Sequence, residues 1–164
     1  MLIRPERPED FDAIHAIVEA AFGQPDEAHL VRRLRASDVY VPELALVAEA
    51  DGEVVGHIML TYADLDGRRV LSLAPLAVQP GRQRDGIGIA LTHEALAKAD
   101  ARDEPLVIVL GHPTYYPRFG FEPARRHGIE PPDPQIPDDV FMVARLRAYD
   151  PALRGRITYP PAFE

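Results

Sequence analysis

The chain has no cysteine and a single lysine, Lys98, in 164 residues. Without Cys there is no disulfide, no thiolate zinc site and no cysteine nucleophile. Long apolar runs are missing too: none approaches the ~20 residues that a membrane-crossing helix needs. The first ten residues, through Glu9 and Asp10, carry charges where a signal peptide needs an apolar core. A cytoplasmic location and no membrane partner are therefore expected. Positive charge is scarce, with 18 Lys and Arg against 26 Asp and Glu, a net charge of −8. A nucleic-acid partner, which calls for a basic stripe, is not expected.

What is present is the balance of a soluble globular protein, 46% apolar and 27% charged. The length suits one domain over residues 1–164 and is too short for two comfortable ones. Leu2-Ile3 is a short strand candidate. Pro8, where a missing N–H costs nothing, and the acids Glu9 and Asp10 suit a helix start. Phe11, Ile14, Ile17, Val18, Ala21 and Phe22 recur at helical spacing until Gly23 and Pro25. Asp26 is placed to cap a second helix carrying Leu30, Val31 and Leu34.

Strands are expected over Leu44 to Ala50 and Val54 to Tyr62, around the hairpin signal Asp51-Gly52. A third, Val70 to Val78, follows Asp66-Gly67, giving an antiparallel meander. Gly86 to Arg102 is Ala-rich and free of internal Pro, hence helix. Leu106 to Leu110 is the apolar run of a fully buried strand. Strand, helix and buried strand make one βαβ unit with parallel strands. The last strand is Val140 to Leu146. Before it lies a loop with Pro123, Pro131, Pro132, Pro134 and Pro137, which is neither helix nor central strand. A loop of that length is functional or mobile.

The most informative stretch is Leu76 to Leu91, where a buried strand enters a glycine turn that opens directly into a helix. Gly86 and Gly88 remove side chains where the first helical N–H groups emerge, and those groups with the helix dipole attract phosphate oxygens. Arg82 and Arg84 could add charge. A dinucleotide fingerprint needs a third glycine where Leu91 stands, and a P-loop needs a Gly-Lys-Ser/Thr that is absent. A simple packed strand–helix turn is the competing reading.

Gln83-Arg84-Asp85-Gly86-Ile87-Gly88 fits the Q/R-x-x-G-x-G/A signature and resembles the GNAT N-acetyltransferase superfamily. Val70 to Val78 is similar to the strand before that signature, and Tyr116-Pro117-Arg118-Phe119-Gly120-Phe121 to the superfamily's Tyr-x-x-x-Gly-Phe element. The run Gly111 to Phe121 and the tail Tyr159 to Phe163 resemble a bacterial branch of predicted N-acetyltransferases. The resemblance implies an α/β fold of the α+β kind: a mixed, mostly antiparallel central sheet, helices on both faces and one βαβ unit. It implies acetyl-CoA as acyl donor, its pyrophosphate bound by backbone N–H groups of Gln83, Arg84, Asp85, Gly86, Ile87 and Gly88. Backbone groups of Leu76, Ala77 and Val78 would meet the pantetheine arm and thioester. The Val78 N–H is the candidate oxyanion donor.

In the same terms Tyr116 occupies the general-acid position; its competing role is packing under the Gly-Phe turn. A Tyr, with a pKa of about 10, can stay protonated at neutral pH and donate to a leaving thiolate. Many family members carry a carboxylate on the strand before the turn, and Val70 to Val78 has none. Ser72, Glu43, His57, His112 or a water chain remain candidates for the general base, with a buried structural role the alternative for His57. The histidines lack metal-ligand spacing, so no metal is expected. The implied function is acetyl transfer to a primary amine of a small molecule or peptide by a monomer or homodimer. A non-catalytic acyl-CoA-binding module is the alternative. The tail is expected to be packed, with Tyr159 and Phe163 walling the acceptor pocket.

Overall fold

The computed structural model describes all residues 1–164. Strand β1 (Leu2–Pro5) leads through a 3-10 turn at Pro8–Asp10 into helix α1 (Phe11–Phe22), and α2 (Asp26–Arg35) follows. Three long strands come next: β2 (Tyr40–Ala50), β3 (Glu53–Leu65) and β4 (Arg68–Val78). Both hairpins close as the Asp-Gly pairs require. Asp51 and Gly52, then Asp66 and Gly67, all have positive φ, which matches the turn to the twist of its strands. Helix α3 (Ile87–Ala101) and strand β5 (Leu106–Leu110) complete the βαβ unit.

The sheet runs β1-β2-β3-β4-β5-β8-β6, where β6 is Glu122–Pro123 and β8 is Phe141–Arg145. All neighbours along this order are antiparallel except β4 and β5. Alternation along the strands sends side chains to two faces. On one face α3 covers a core that includes Leu44, Leu46, Ile58, Leu71 and Leu91. On the other, α1 and α2 cover Ala45, Val47, Met59 and Ala77. A third cluster gathers Leu106, Ile108, Phe141 and Ile157.

Three expectations need correction. The meander strands begin earlier than expected, at Tyr40, Glu53 and Arg68, because pairing with neighbours carries the ladder into polar residues. The Pro-rich segment is tethered: Arg125 reaches Glu130 at 3.0 Å and the carbonyls of Ile136 and Pro134 at 2.7 and 3.0 Å. Two short strands were missed, β7 (Ile129–Glu130) and β9 (Gly155–Thr158), which pair in parallel while β9 also lies antiparallel to β3 at Asp64 and Leu65.

Candidate active site

Strand β4 pairs with β5 only at Leu71–Val107, Ser72–Ile108 and Leu73–Val109. Beyond Leu73 the two strands part. On its other edge β4 stays with β3, with Ile58 opposite Leu76, His57 opposite Ala77 and Gly56 opposite Val78. The Gln79 N–H donates to the Val55 carbonyl at 2.8 Å. Antiparallel partners alternate between pairs that exchange hydrogen bonds and pairs that exchange none. With Gln79 bonded to Val55, the Ala77–His57 pair is a bonded one. The backbone groups of Leu76 and Val78 therefore turn away from β3, into the gap left by β5. Ala77 differs from expectation here: it borders the gap, but its N–H and C=O belong to the β3 ladder.

The gap continues into the glycine turn. Gly81 and Gly86 have φ of 92° and 79°, a left-handed conformation that glycine adopts at little cost. Gly86 is the N-cap of α3. The N–H groups of Gln83, Arg84, Gly86, Ile87 and Gly88 donate to no protein acceptor, whereas the Asp85 N–H donates to the Arg82 carbonyl at 3.3 Å. Asp85 thus stabilises the turn and offers no free amide. The Gln83 amide donates to the Val78 carbonyl at 3.3 Å, bracing turn against strand. Gly88 sits under the Tyr115 hydroxyl, which would lie 3.1 Å from an added Cβ.

Strand ends, turn and helices enclose one groove of about 590 Å³. Leu73 to Val78 form one wall, and Val109 to His112 with Tyr115 and Tyr116 the other. Gln83 and Gly88 lie at the α3 end; Ala21, Phe22, Glu27 and Leu30 come from α1 and α2. Since α3 and the α1–α2 pair cover opposite faces, the groove passes through the sheet. A smaller cavity of about 340 Å³, lined by Phe11, His15, Arg32 and Arg35 among others, shares none of these residues and has no tyrosine.

Tyr116 is 7% exposed. Its ring meets Tyr115 and Phe121 edge-on at centroid distances of 5.0 and 5.5 Å. Gly111 permits this: a Cβ there would fall 2.4 Å from the Tyr116 ring. The Tyr116 hydroxyl has no hydrogen bond to protein and is not among the polar atoms sealed from solvent. Burial pushes its pKa up, with the neighbouring Tyr115 adding to the shift, so at neutral pH it is a proton donor.

Of the four side chains considered as bases, only His112 lines the groove. Ser72 is buried beside Tyr159. Glu43 pairs with Arg102 at 2.8 Å on the surface. His57 is fully buried, its Nε2 bonded to Glu6 at 2.8 Å. Glu6 also accepts from Arg35 at 2.7 Å and from the Tyr40 hydroxyl at 2.7 Å. Burial pushes the Glu6 carboxyl up, but the hydrogen bonds from His57, Arg35 and Tyr40 outweigh it and hold it at about 2. This is a structural network. The residue that sequence reasoning missed in the groove is Glu27. An acid in the first turn of a helix is what the helix dipole favours anywhere, so its position carried no functional signal.

The tail is packed, as expected, but not where expected. Tyr159 faces Ser72, burial pushing its pKa up to about 12. Phe163 packs with the core under α1 and α2, and Arg33 holds the Ala162 carbonyl at 2.8 Å. None of Ile157 to Glu164 lines the groove.

Residues 2–124 match the acetyltransferase (GNAT) domain family. The chain belongs to the GNAT family of acetyltransferases. It is 38% identical to the uncharacterised N-acetyltransferase YjhQ of Escherichia coli over 156 residues, 90% of this chain and 86% of that one. It is 36% identical to the uncharacterised N-acetyltransferase YhbS of Escherichia coli, over 94% of this chain and 92% of the relative. The crystal structure of YhbS in complex with CoA superposes with a TM-score of 0.90 at 32% identity, covering 99% and 91% of the two chains. A GNAT acetyltransferase from Brucella melitensis in complex with acetyl-CoA gives a TM-score of 0.82 at 32% identity, covering 99% and 97%.

Proposed function

We propose that residues 1–164 act as one unit that transfers the acetyl group of acetyl-CoA to a primary amine in a ternary complex. The observation that carries this is the parting of β4 from β5. It leaves the Leu76 and Val78 backbone groups facing Tyr116 across a groove that starts at a turn rich in free N–H groups. Two solved relatives at 32% identity hold CoA and acetyl-CoA, and the residues here suit such a ligand. Gln83, Arg84, Gly86, Ile87 and Gly88 offer amides to a pyrophosphate at a helix N-terminus. Leu76 offers strand-like hydrogen bonds to an amide-bearing arm.

When bound, acetyl-CoA supplies the acyl group and a thiolate leaving group. The Val78 N–H is oriented to donate to the oxygen that gains negative charge as the amine attacks. The Tyr116 hydroxyl donates its proton to the departing sulfur. Burial keeps the phenol protonated at neutral pH, so its proton is in place as the thiolate, whose free thiol ionises at about 8.5, departs. The amine must be neutral to attack. His112 borders both groove and solvent, and provides an exit for the amine's proton.

A non-catalytic acyl-CoA-binding module is the second reading, favoured by the lack of any carboxylate on β4. One experiment separates them: thiol release from acetyl-CoA with a panel of amines, polyamines, aminoglycosides and peptide N-termini. Release with any acceptor excludes the pure binding module. Failure of acetyl-CoA to raise the melting temperature would reject both readings.

A further inference from the structure

The groove carries a charge and polarity pattern that acetyl transfer alone does not require. Five large hydrophobic side chains are exposed on the protein, and two of them, Phe22 at 43% and Leu110 at 46%, border this groove. Ala21 and Leu30 extend the apolar surface on the α1–α2 side. Among them stands Glu27, the only Asp, Glu, Lys or Arg in the lining. Both its carboxylate oxygens accept from the Gln24 amide, at 2.9 and 3.1 Å. No cation of the protein pairs with it: the basic residues of α2 lie in its last turn, where Arg35 engages Glu6 and Arg33 the Ala162 carbonyl. The negative charge is therefore oriented, solvent-accessible and paired with no side-chain cation beside an apolar surface.

Resting on the transferase reading, we infer that the acceptor is a cationic amine on an apolar body, and that Glu27 selects its charge. The ammonium form is drawn to the groove by Glu27 and by the net charge of −8, and loses its proton by way of His112 before it attacks. Phe22, Leu30 and Leu110 cover the apolar body. An amine that carries its own carboxylate meets like charge, and discrimination between acceptors arises from that repulsion as much as from attraction. Glu27 is a specificity residue; no proton transfer is assigned to it.

The test uses four acceptors with the full chain at saturating acetyl-CoA. 2-Phenylethylamine, phenylalanine and phenylalaninamide share one apolar body and differ in the carboxylate. Ethanolamine lacks the body. Because these amines differ in basicity, the measure is the ratio of their kcat/KM values in the wild type against the same ratio in Glu27 variants. Glu27→Gln keeps an oxygen for the Gln24 bond and removes the charge. It should raise the KM for 2-phenylethylamine roughly tenfold, leave kcat and the acetyl-CoA Kd in place, and reduce the preference over phenylalanine by a similar factor. Glu27→Asp should retain most of the preference, and Glu27→Lys should favour phenylalanine. Ratios that do not move in Glu27→Gln and Glu27→Lys overturn the inference, as does ethanolamine used as well as 2-phenylethylamine. Failure of the transferase reading looks different: acetyl-CoA binds, no thiol is released with any amine, and the inference falls with it.

Discussion

Tyr116 shows how far one residue's chemistry follows from the atoms around it. Its hydroxyl is bonded to nothing in the protein, its ring is clamped by Tyr115 and Phe121, and burial keeps it protonated. Tyr116→Phe should lower kcat by roughly 10²–10⁴ while acetyl-CoA affinity barely moves; steady-state kinetics and calorimetry together check this. Gly111→Ala should also lower kcat, because a methyl group there must displace the Tyr116 ring. Elsewhere a single carboxylate governs stability. Glu6 is held at about 2 against an ordinary 4.5. Its contribution is therefore fully present above about pH 4.5 and is lost as the pH falls through about 2. Glu6→Gln should flatten acid unfolding across that window and cost about 3–5 kcal/mol at neutral pH, since Arg35 and His57 lose their buried partner. Tyr116 was legible because its spacing to Gly120 and Phe121 is local. Glu6 was not, because its partners Arg35, Tyr40 and His57 come from distant parts of the chain; Glu27 was not, because an acid in a first helical turn is ordinary until the strands that face it are assembled.

At the scale of elements, the glycine turn and the β4 strand after Leu73 act as one device. Gly88→Val should abolish the rise in melting temperature caused by acetyl-CoA while the apo protein still folds, since the extra atoms fill the space beside the Tyr115 hydroxyl and the Val78 side chain. The Leu76 and Val78 amides should exchange with solvent hydrogen faster than the Ala77 amide between them, and slow on acetyl-CoA binding; hydrogen exchange resolved by residue reads this directly. The long elements could be read from the sequence. Asp-Gly pairs marked both hairpins, and Ala-rich composition marked α3. Strands β7 and β9 could not, at two and four residues with no alternation to detect. They exist because β9 finds the free edge of β3 at Asp64 and Leu65. The turn to the Pro-rich segment was read from proline alone, whereas its order comes from Arg125, which bridges carbonyls and acids across it.

For the molecule as a whole, the sheet is two antiparallel leaves, β1 to β4 and β5-β8-β6, joined along three residue pairs. The C-terminal residues cross back from one leaf to the other, β9 onto β3 and Phe163 onto the α1–α2 core. Truncation after Pro160 should lower the melting temperature by about 5 °C through lost burial, with acceptor KM unchanged because nothing removed lines the groove. That outcome would separate the tail's packing, which its aromatic residues announced, from the pocket-wall role expected for it. Mechanically, the seam between the leaves is a crack that stops at the Leu73–Val109 rung. Stress that would widen the groove concentrates at its tip, on two buried side chains, and the C-terminal strap sutures the leaves on the closed side. Softening the tip, by Val109→Ala, should therefore let the crack run toward Ser72 and Ile108, and change the width of the mouth by more than the two methyl groups removed from its wall.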